Sequence, residues 1–466
     1  MTTLIPQFDL KNGGSTPTGA INRAINLKLQ EFVSVLDFGA DSTGATDSST
    51  AFTNAIATGK AVFVPKGTYQ ASFDLGTLSI IYGEGGRGVS NLIPPTGSAY
   101  VIRIDATSIS KVHCQIKDLD ISNPSSVANC TAIYFKGTNV ATINDNHIIE
   151  SVYVSNFNIG IDISGRLIGS SFKDIEIIGG NIGMRVSTDN SSAAFIINKF
   201  ELIQFYNQQN EAVTVAGINN NIRFDTCVFQ GANASLTGGV AAVKISGTSE
   251  RVQFVNCYFE NNGSAIPFDG VNFYDNSFGL WFSSNTCIEP LIDSCWMVGS
   301  GVMLLIQNTT GLIGGEVTNT RFAPTSGGWD IFVNSNPNTP RFGIDGNNYF
   351  SGVTYVSTWT GGFGQAAYVK QIDSCQYFSG ASTVDLRTTK KVIFANLASS
   401  ITLNGTVVTN RIPGEEFWVY NQSATYNVVI DASINDTAAN ITLAPGTKAI
   451  FMVCDYPYDR KLTKMT

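Results

Sequence analysis

The chain has 466 residues, and only 14% of them are Asp, Glu, Lys or Arg, against roughly 25% in an average globular protein. A formal net charge of −8 argues against a phosphate-tracking surface, so no nucleic-acid partner is expected. The start, Met1 to Asp9, has neither a basic nor a long apolar region, and no apolar run approaches the roughly 20 residues of a membrane span, so neither a signal peptide nor membrane insertion is expected.

Residues 1–30 are rich in Gly, Ser, Thr and Pro around Asn12–Gly19 and offer little core, so they form a separate leading segment. Residues 31–110 predict a cap. Asp47 and its neighbours supply a helix N-cap, and Ala51, Phe52, Ala55 and Ile56 make an apolar helical stripe. Gly59 ends that helix, and Ala61–Val64 is a fully apolar strand. A stacked fold needs such a cap to cover its first strand edge.

From 111 to 385 one short phrase recurs: Lys117–Ile121, Glu150–Val154, Lys173–Ile177, Asn198–Leu202, Asp225–Phe229, Val255–Phe259, Asp293–Met297, Thr318–Phe322, Gly346–Phe350 and Asp373–Tyr377. Its central residues, from Leu119 to Cys375, stand 23 to 38 residues apart, which is the spacing of a solenoid. Apolar and polar residues alternate within each phrase, as in a strand. One strand per turn, stacked on the next, gives a parallel β-helix. The alternation points Leu119, Ile175, Phe200, Leu202, Cys227 and Cys257 inward. It points Asp120, Tyr153, Glu176, Glu201, Val228, Tyr258, Trp296, Arg321 and Tyr349 outward. The eight cysteines contain no C-x-x-C pair, so no metal site or other cofactor is called for, and buried free thiols account for their positions. Residues 386–466 lose the repeat and read as a C-terminal antiparallel β-sandwich with Gly, Asn and Pro turns. The fold class is therefore all-β.

The passage before the coil resembles the opening of the pectate-lyase-like superfamily as it occurs in bacteriophage tailspikes and capsule depolymerases. Val35, Asp37, Phe38, Gly39, Ala40, Gly44 and Asp47 match one motif of that opening; Val62, Val64, Pro65, Gly67 and Tyr69 match the next. The resemblance covers residues 32–70 in motif and 111–380 in architecture. It implies a right-handed β-helix, a homotrimer, a bacterial surface polysaccharide as target and a place in the virion after assembly in the host cytoplasm. Residues 1–30 would then dock on the phage tail or an adaptor protein, and residues 386–466 would serve trimerisation or glycan contact.

For such a target the candidate chemistry is endo-hydrolysis by paired carboxylates. Glu176 and Glu201, on consecutive phrases, are expected roughly 4.8 Å apart at the backbone, near the roughly 5 Å of a retaining pair. Asp174, two residues from Glu176, would with Glu201 give an inverting spacing, although a plain Asp174–Lys199 ion pair is the bland alternative. Asp120, Asp225, Glu260 and Asp293 are reserves. Tyr153, Tyr258, Trp296 and Tyr349 offer faces on which sugars stack, or surfaces that pack against other subunits. His147 and Tyr153 with Lys173, Arg166 and Arg185 would suit a polysaccharide lyase, Arg185 and its neighbours neutralising a uronate. A non-catalytic glycan-binding adhesin is the competitor from another class.

Overall fold

The computed structural model describes residues 7–8, 23–24, 31–137, 142–188, 194–232, 241–260, 262, 278–299, 302–308, 312–313, 315–323 and 329–335, and short segments between 343 and 464. The chain divides into two compact units, residues 1–235 with 241–247, and residues 236–240 with 248–466. Of the leading segment only the antiparallel pair Gln7–Phe8 and Arg23–Ala24 is described.

The first unit begins as expected. Ser34 caps the short 3-10 helix Val35–Phe38 in a reciprocal capping box with Asp37, and Gly39 at φ 83° closes it in the left-handed region. Asp41 collects both backbone and hydroxyl donors of Thr43 and Thr46, which hold its carboxyl far below the usual range. The helix Ser49–Ala57 buries Ala51, Phe52 and Ala55, and Phe52 stacks on Phe73 with centroids 4.8 Å apart. The strand Val62–Val64 pairs in parallel with Val33–Ser34 on one side and Ile80–Gly83 on the other.

The coil is a parallel β-helix, but each turn of the first unit contributes three strands, not one. The strands Gln115–Ser122, Ile148–Ser155, Ser171–Ile178 and Lys199–Tyr206 stack in parallel as the phrase predicts. A second stack runs Tyr100–Asp105, Thr131–Lys136, Ile159–Ser164, Ile182–Ser187 and Val213–Ala216. A third, of two- and three-residue strands, runs Lys111–Val112, Asn144–Asp145, Leu167–Ile168, Ala194–Ile196 and Ile218–Asn220.

Register also departs from the expected alignment in one turn. Leu119, Val152 and Ile175 stack as predicted, but Ile175 lies opposite Ile203, not Phe200. Each long strand carries one residue in the left-handed region, at Asp118, Ser151, Asp174 and Leu202. This residue drops out of the pairing and resets the alternation by one, as a bulge does. Leu202, expected inside, is consequently 41% exposed, whereas Phe200 is fully buried.

Stacking makes the interior a set of ladders. Phe172, Phe200 and Phe224 lie nearly parallel with successive centroids 4.8 Å apart. Cys114, Cys130, Cys227, Cys257 and Cys295 are free and buried, and burial pushes the Cys114 thiol up to about 11 and the Cys130 thiol to about 12. At one corner Asn156, Gly179, Asn207 and Gly231 all have φ between 57° and 67°, the conformation these two residues tolerate best. Beside that corner an amide chain crosses three successive turns, Asn210 Nδ2 donating to Asn181 Oδ1 and Asn181 Nδ2 to Asn158 Oδ1.

The second unit repeats the scheme. Gln253–Val255, Leu291–Asp293, Glu316–Thr318 and Gly343–Ile344 stack in parallel, and so do Tyr258–Glu260, Trp296–Val298, Arg321–Ala323 and Tyr349–Phe350. Here the expected register of Cys257, Cys295 and Thr320 holds, with Asn256, Ser294 and Asn319 as the left-handed residues. Nearer the C-terminus the antiparallel pairs Glu416–Asn421 with Lys448–Asp455, Lys448–Asp455 with Arg460–Lys464, and Val428–Ile430 with Ile441–Leu443 match the expected small sheets. Parallel pairs are also present there: Cys375–Phe378, Lys391–Phe394 and Glu416–Asn421 stack in that order.

Another corner of the first unit holds a residue of the wrong kind. Ile197 has φ 56° and is 60% exposed, so its branched side chain carries strain with little burial in return. Replacing Ile197 with Asn is expected to stabilise the coil by about 1 kcal/mol, read as a raised midpoint in denaturant with an unchanged slope.

Candidate functional site

Register writes the outer surface as columns, one residue per turn. On the long stack of the first unit, Asn91, Asp120, Tyr153, Glu176, Gln204 and Val228 follow one another. A glycine-rich loop, Gly83–Gly88, leads over this column, with Gly85, Gly86 and Gly88 at positive φ. That conformation turns the chain tightly enough to present Arg87, the loop's one cation. The Arg87 guanidinium lies 3.8 Å from the centre of the Tyr153 ring, donates to the Tyr153 hydroxyl and stands 3.6 Å from Glu176 Oε1.

Asp120 is the unusual member. It is only 6% exposed; its Oδ2 accepts from the Gly88 N–H at 2.9 Å, and its Oδ1 is buried without a hydrogen-bond partner. Burial pushes its carboxyl above the ordinary value, with the Gly88 N–H and Arg87 opposing. Beside the lower end of the column the Tyr206 hydroxyl donates to Gln204 Oε1 at 2.6 Å, and burial first, then Glu176, raises that phenol. Asp120 and Glu176 are separated by Tyr153, two turns apart, so their backbones stand about 9.6 Å apart. Carboxyls roughly 6.5–9.5 Å apart leave room for a water between a proton donor and a base, and a two-turn backbone separation is of that order.

The expected Glu176–Glu201 pair is not assembled. Glu176 lies opposite Gln204, and Glu201 lies opposite Lys173 in a second column, Lys117, Glu150, Lys173, Glu201 and Asp225. Charges there mostly alternate: Lys117 pairs with Glu150 at 3.1 Å, and Lys199 binds Glu201 and holds its carboxyl below the ordinary value. Asp174, at the left-handed bend, is exposed and accepts from the Ser151 hydroxyl at 2.9 Å. Lys199 lies opposite Ser171, so the Asp174–Lys199 ion pair is not formed by register either. The displacement has one cause: the left-handed residue Leu202 lines up with Asp174, so the matching phrase is Glu201–Phe205, three residues later than the sequence alignment has it.

The lyase set is dispersed. Arg185 belongs to the second stack and grips Asp162 through two hydrogen bonds of 3.0 and 2.6 Å, while Arg166 stands 3.7 Å from Asp145. His147 is inside the coil: its Nδ1 accepts from the Cys114 N–H, so the neutral ring donates from Nε2 to Asn144 Oδ1 at 2.8 Å. Of the reserves, Asp225 is bound by Arg223, and Asp293 accepts from Ser294, Thr318 and Asn319. Glu260 sits beside Tyr258, whose phenol is raised by burial and by Glu260.

In the second unit, Tyr258, Trp296, Arg321 and the Tyr349 backbone form a column of their own, as the alternation predicts; the Tyr349 side chain lies outside the described residues. Sequence reasoning missed Arg87, which lies in no repeated phrase; its signal was a lone cation flanked by glycines between two short strands. Among the described residues no group of three His, Cys, Asp or Glu is placed to hold a metal ion.

Residues 32–233 match the family described as rhamnogalacturonase A/epimerase, pectate lyase-like. No curated protein sequence matches the chain. Among solved structures, the A-module of mannuronan C-5 epimerase AlgE4 from Azotobacter vinelandii superposes with a TM-score of 0.53 at 12% identity, over 78% of this chain and 94% of that one. The full-length tailspike protein 2 from Escherichia coli O157:H7 bacteriophage CAB120 gives 0.47 at 14% identity, over 65% and 42%. The Agl-KA catalytic domain gives 0.48 at 14% identity, over 72% and 67%. The described coil is a parallel β-helix, and its residues 32–233 are similar to that pectate lyase-like family.

Burial lowers the His147 imidazole to about 4, with His113 adding to the effect. The unfolded chain takes up this proton below about pH 6.5 and the folded coil only near pH 4. Stability therefore falls as pH drops through that window, by about 3 kcal/mol for this group alone. Denaturant midpoints measured from pH 7 to pH 4 should decline steadily, and His147→Gln should remove most of that slope.

Proposed function

We propose that this chain binds a bacterial surface polysaccharide across the Asp120–Tyr153–Glu176 column and hydrolyses it internally. The observation that carries the reading is the pairing of a buried carboxyl, raised by its burial, with a second carboxylate two turns away in the same outward column. Asp120 gives its proton to the glycosidic oxygen as the bond from that oxygen to the anomeric carbon breaks. Glu176 takes a proton from the water that attacks the anomeric carbon from the other side. The products are two shorter chains, one with a new reducing end of inverted configuration, and the carboxyls return to their starting states by proton exchange with solvent. Arg87 covers Tyr153 in the free protein and Gly88 of the same loop binds Asp120, so the sugar has to displace the loop, and the freed guanidinium then meets the substrate's oxygens.

In its fuller form the reading is that of a bacteriophage tailspike. The motifs at residues 32–70 support it; the chain would work as a homotrimer in the virion, joined to the tail or to an adaptor through residues 1–30. An elimination mechanism is the second reading, favoured by one contact: Arg87 lies against both the ring and the hydroxyl of Tyr153, as a uronate-neutralising cation beside a phenolic base would.

Purified capsular and O-antigen polysaccharides incubated with the protein should shorten with new reducing ends and no ultraviolet absorbance from unsaturated sugars. Asp120→Asn and Glu176→Gln are each expected to lower the rate about 100-fold or more while leaving polymer binding intact. Glu201→Gln, outside the column, should stay close to wild type. Shortening with rising absorbance would transfer the base role to Tyr153. Binding without shortening, on a panel that includes the host's own polymer, would reduce the chain to an adhesin.

A further inference from the structure

The second unit carries an outward column of different composition. Tyr258, Trp296 and Arg321 come from three successive turns in strict register, so they repeat at about 4.8 Å. Tyr258 meets Trp296 edge to face with centroids 5.4 Å apart, and the Arg321 guanidinium carbon lies 5.0 Å from the centre of the Trp296 ring. Both neighbours fix the indole, yet Trp296 is still 46% exposed. A large aromatic held rigidly and left open to solvent loses little conformational entropy when something stacks on it.

The surroundings decide what that is. Tyr258 is hydrogen-bonded with Glu260, Arg321 stands one turn beyond Trp296, and the neighbouring strand ends present Asp293 with Ser294, Thr318 and Asn319. One open indole rimmed by charged and hydroxyl-bearing side chains is not the contiguous apolar patch of a stable protein–protein contact. It suits a pyranose ring, whose C–H face stacks on the indole while its hydroxyls and any carboxylate reach Arg321 and the polar rim. Among the described residues the column itself holds no carboxylate, and the two beside it are engaged, Asp293 by three side-chain donors and Glu260 by Tyr258, so the strip is read as holding and not cutting.

We propose that Tyr258, Trp296 and Arg321 form a second, non-catalytic polysaccharide-holding strip that retains the polymer while the Asp120–Glu176 column cuts it. The inference rests on the polysaccharide reading, but it assigns a separate task to separate residues. A long repetitive chain held at two places gains apparent affinity through effective concentration, whereas a short fragment engages only one.

The test compares long and short substrates. With intact capsular polysaccharide, Trp296→Ala is expected to raise KM about tenfold with kcat unchanged. With oligosaccharides of a few repeats, its kinetics should match wild type, and Trp296→Phe should recover most of the loss. In the cutting-deficient Glu176→Gln background, Trp296→Ala should lower polymer affinity by a similar factor. Unchanged KM and affinity for the long polymer, with cutting intact, would overturn the holding strip and leave the hydrolase reading standing. A change in oligomeric mass on Trp296→Ala would overturn it too, because the indole would then be a subunit contact. Full activity of Asp120→Asn and Glu176→Gln would sink the hydrolase reading without touching the strip.

Discussion

Everything in the described coil depends on the parallel in-register hydrogen bonding of one turn on the next. Each strand finds its partners about 4.8 Å above and below, and that bond pattern decides which side chain stacks on which. Inward, register makes the Phe172–Phe200–Phe224 ladder and gives buried thiols and one neutral histidine their places. Outward, it makes columns in which every residue has two fixed neighbours. A strand face in a globular protein borrows its neighbours from distant sequence. Here they come from the preceding and following turns of the same coil.

The columns then sort carboxylates by electrostatics. Glu150 and Glu201 stand beside lysines, on a solvated face where opposite charges alternate, and Glu201 is held in its ionised form. Asp120 lies under a loop, receives a single backbone donor and retains its proton more readily for lack of solvent. A carboxylate on the same sheet is thus ion-paired on a solvated face at one position and buried beneath a loop at another. What separates them is cover, which the glycine-rich loop supplies to one column and not to the other.

This explains what was legible beforehand. The repeated phrase, its spacing and its alternation were enough to reveal a parallel β-helix, its buried cysteines, and the outward place of Tyr153, Glu176, Tyr258 and Trp296. The two further strands per turn escaped notice because they share no phrase, though Ala132–Phe135, Ile161–Ile163 and Met184–Val186 are visibly apolar. The turn at Lys199–Tyr206 was misplaced because Asn198-Lys-Phe-Glu-Leu imitates the phrase. Only the left-handed residue at Leu202, a conformation rarely adopted by leucine, reveals that the phrase begins later. The proposed site therefore lost Glu201 and gained Asp120, which had stood only in reserve. Arg87 was invisible, because repetition locates strands and says nothing of a loop that occurs once.

That loop has a consequence for how the protein is made. Arg87 is written early in the chain, but the surfaces it rests on belong to later turns, Tyr153 first and Glu176 after it. A nascent chain that has folded only through its cap holds the arginine with nothing beneath it. The column closes when the turn bearing Tyr153 docks, and it becomes complete when the turn bearing Glu176 is laid down. The column is therefore assembled by elongation, turn by turn, and a polypeptide interrupted before residue 176 would leave Arg87 without the Glu176 contact.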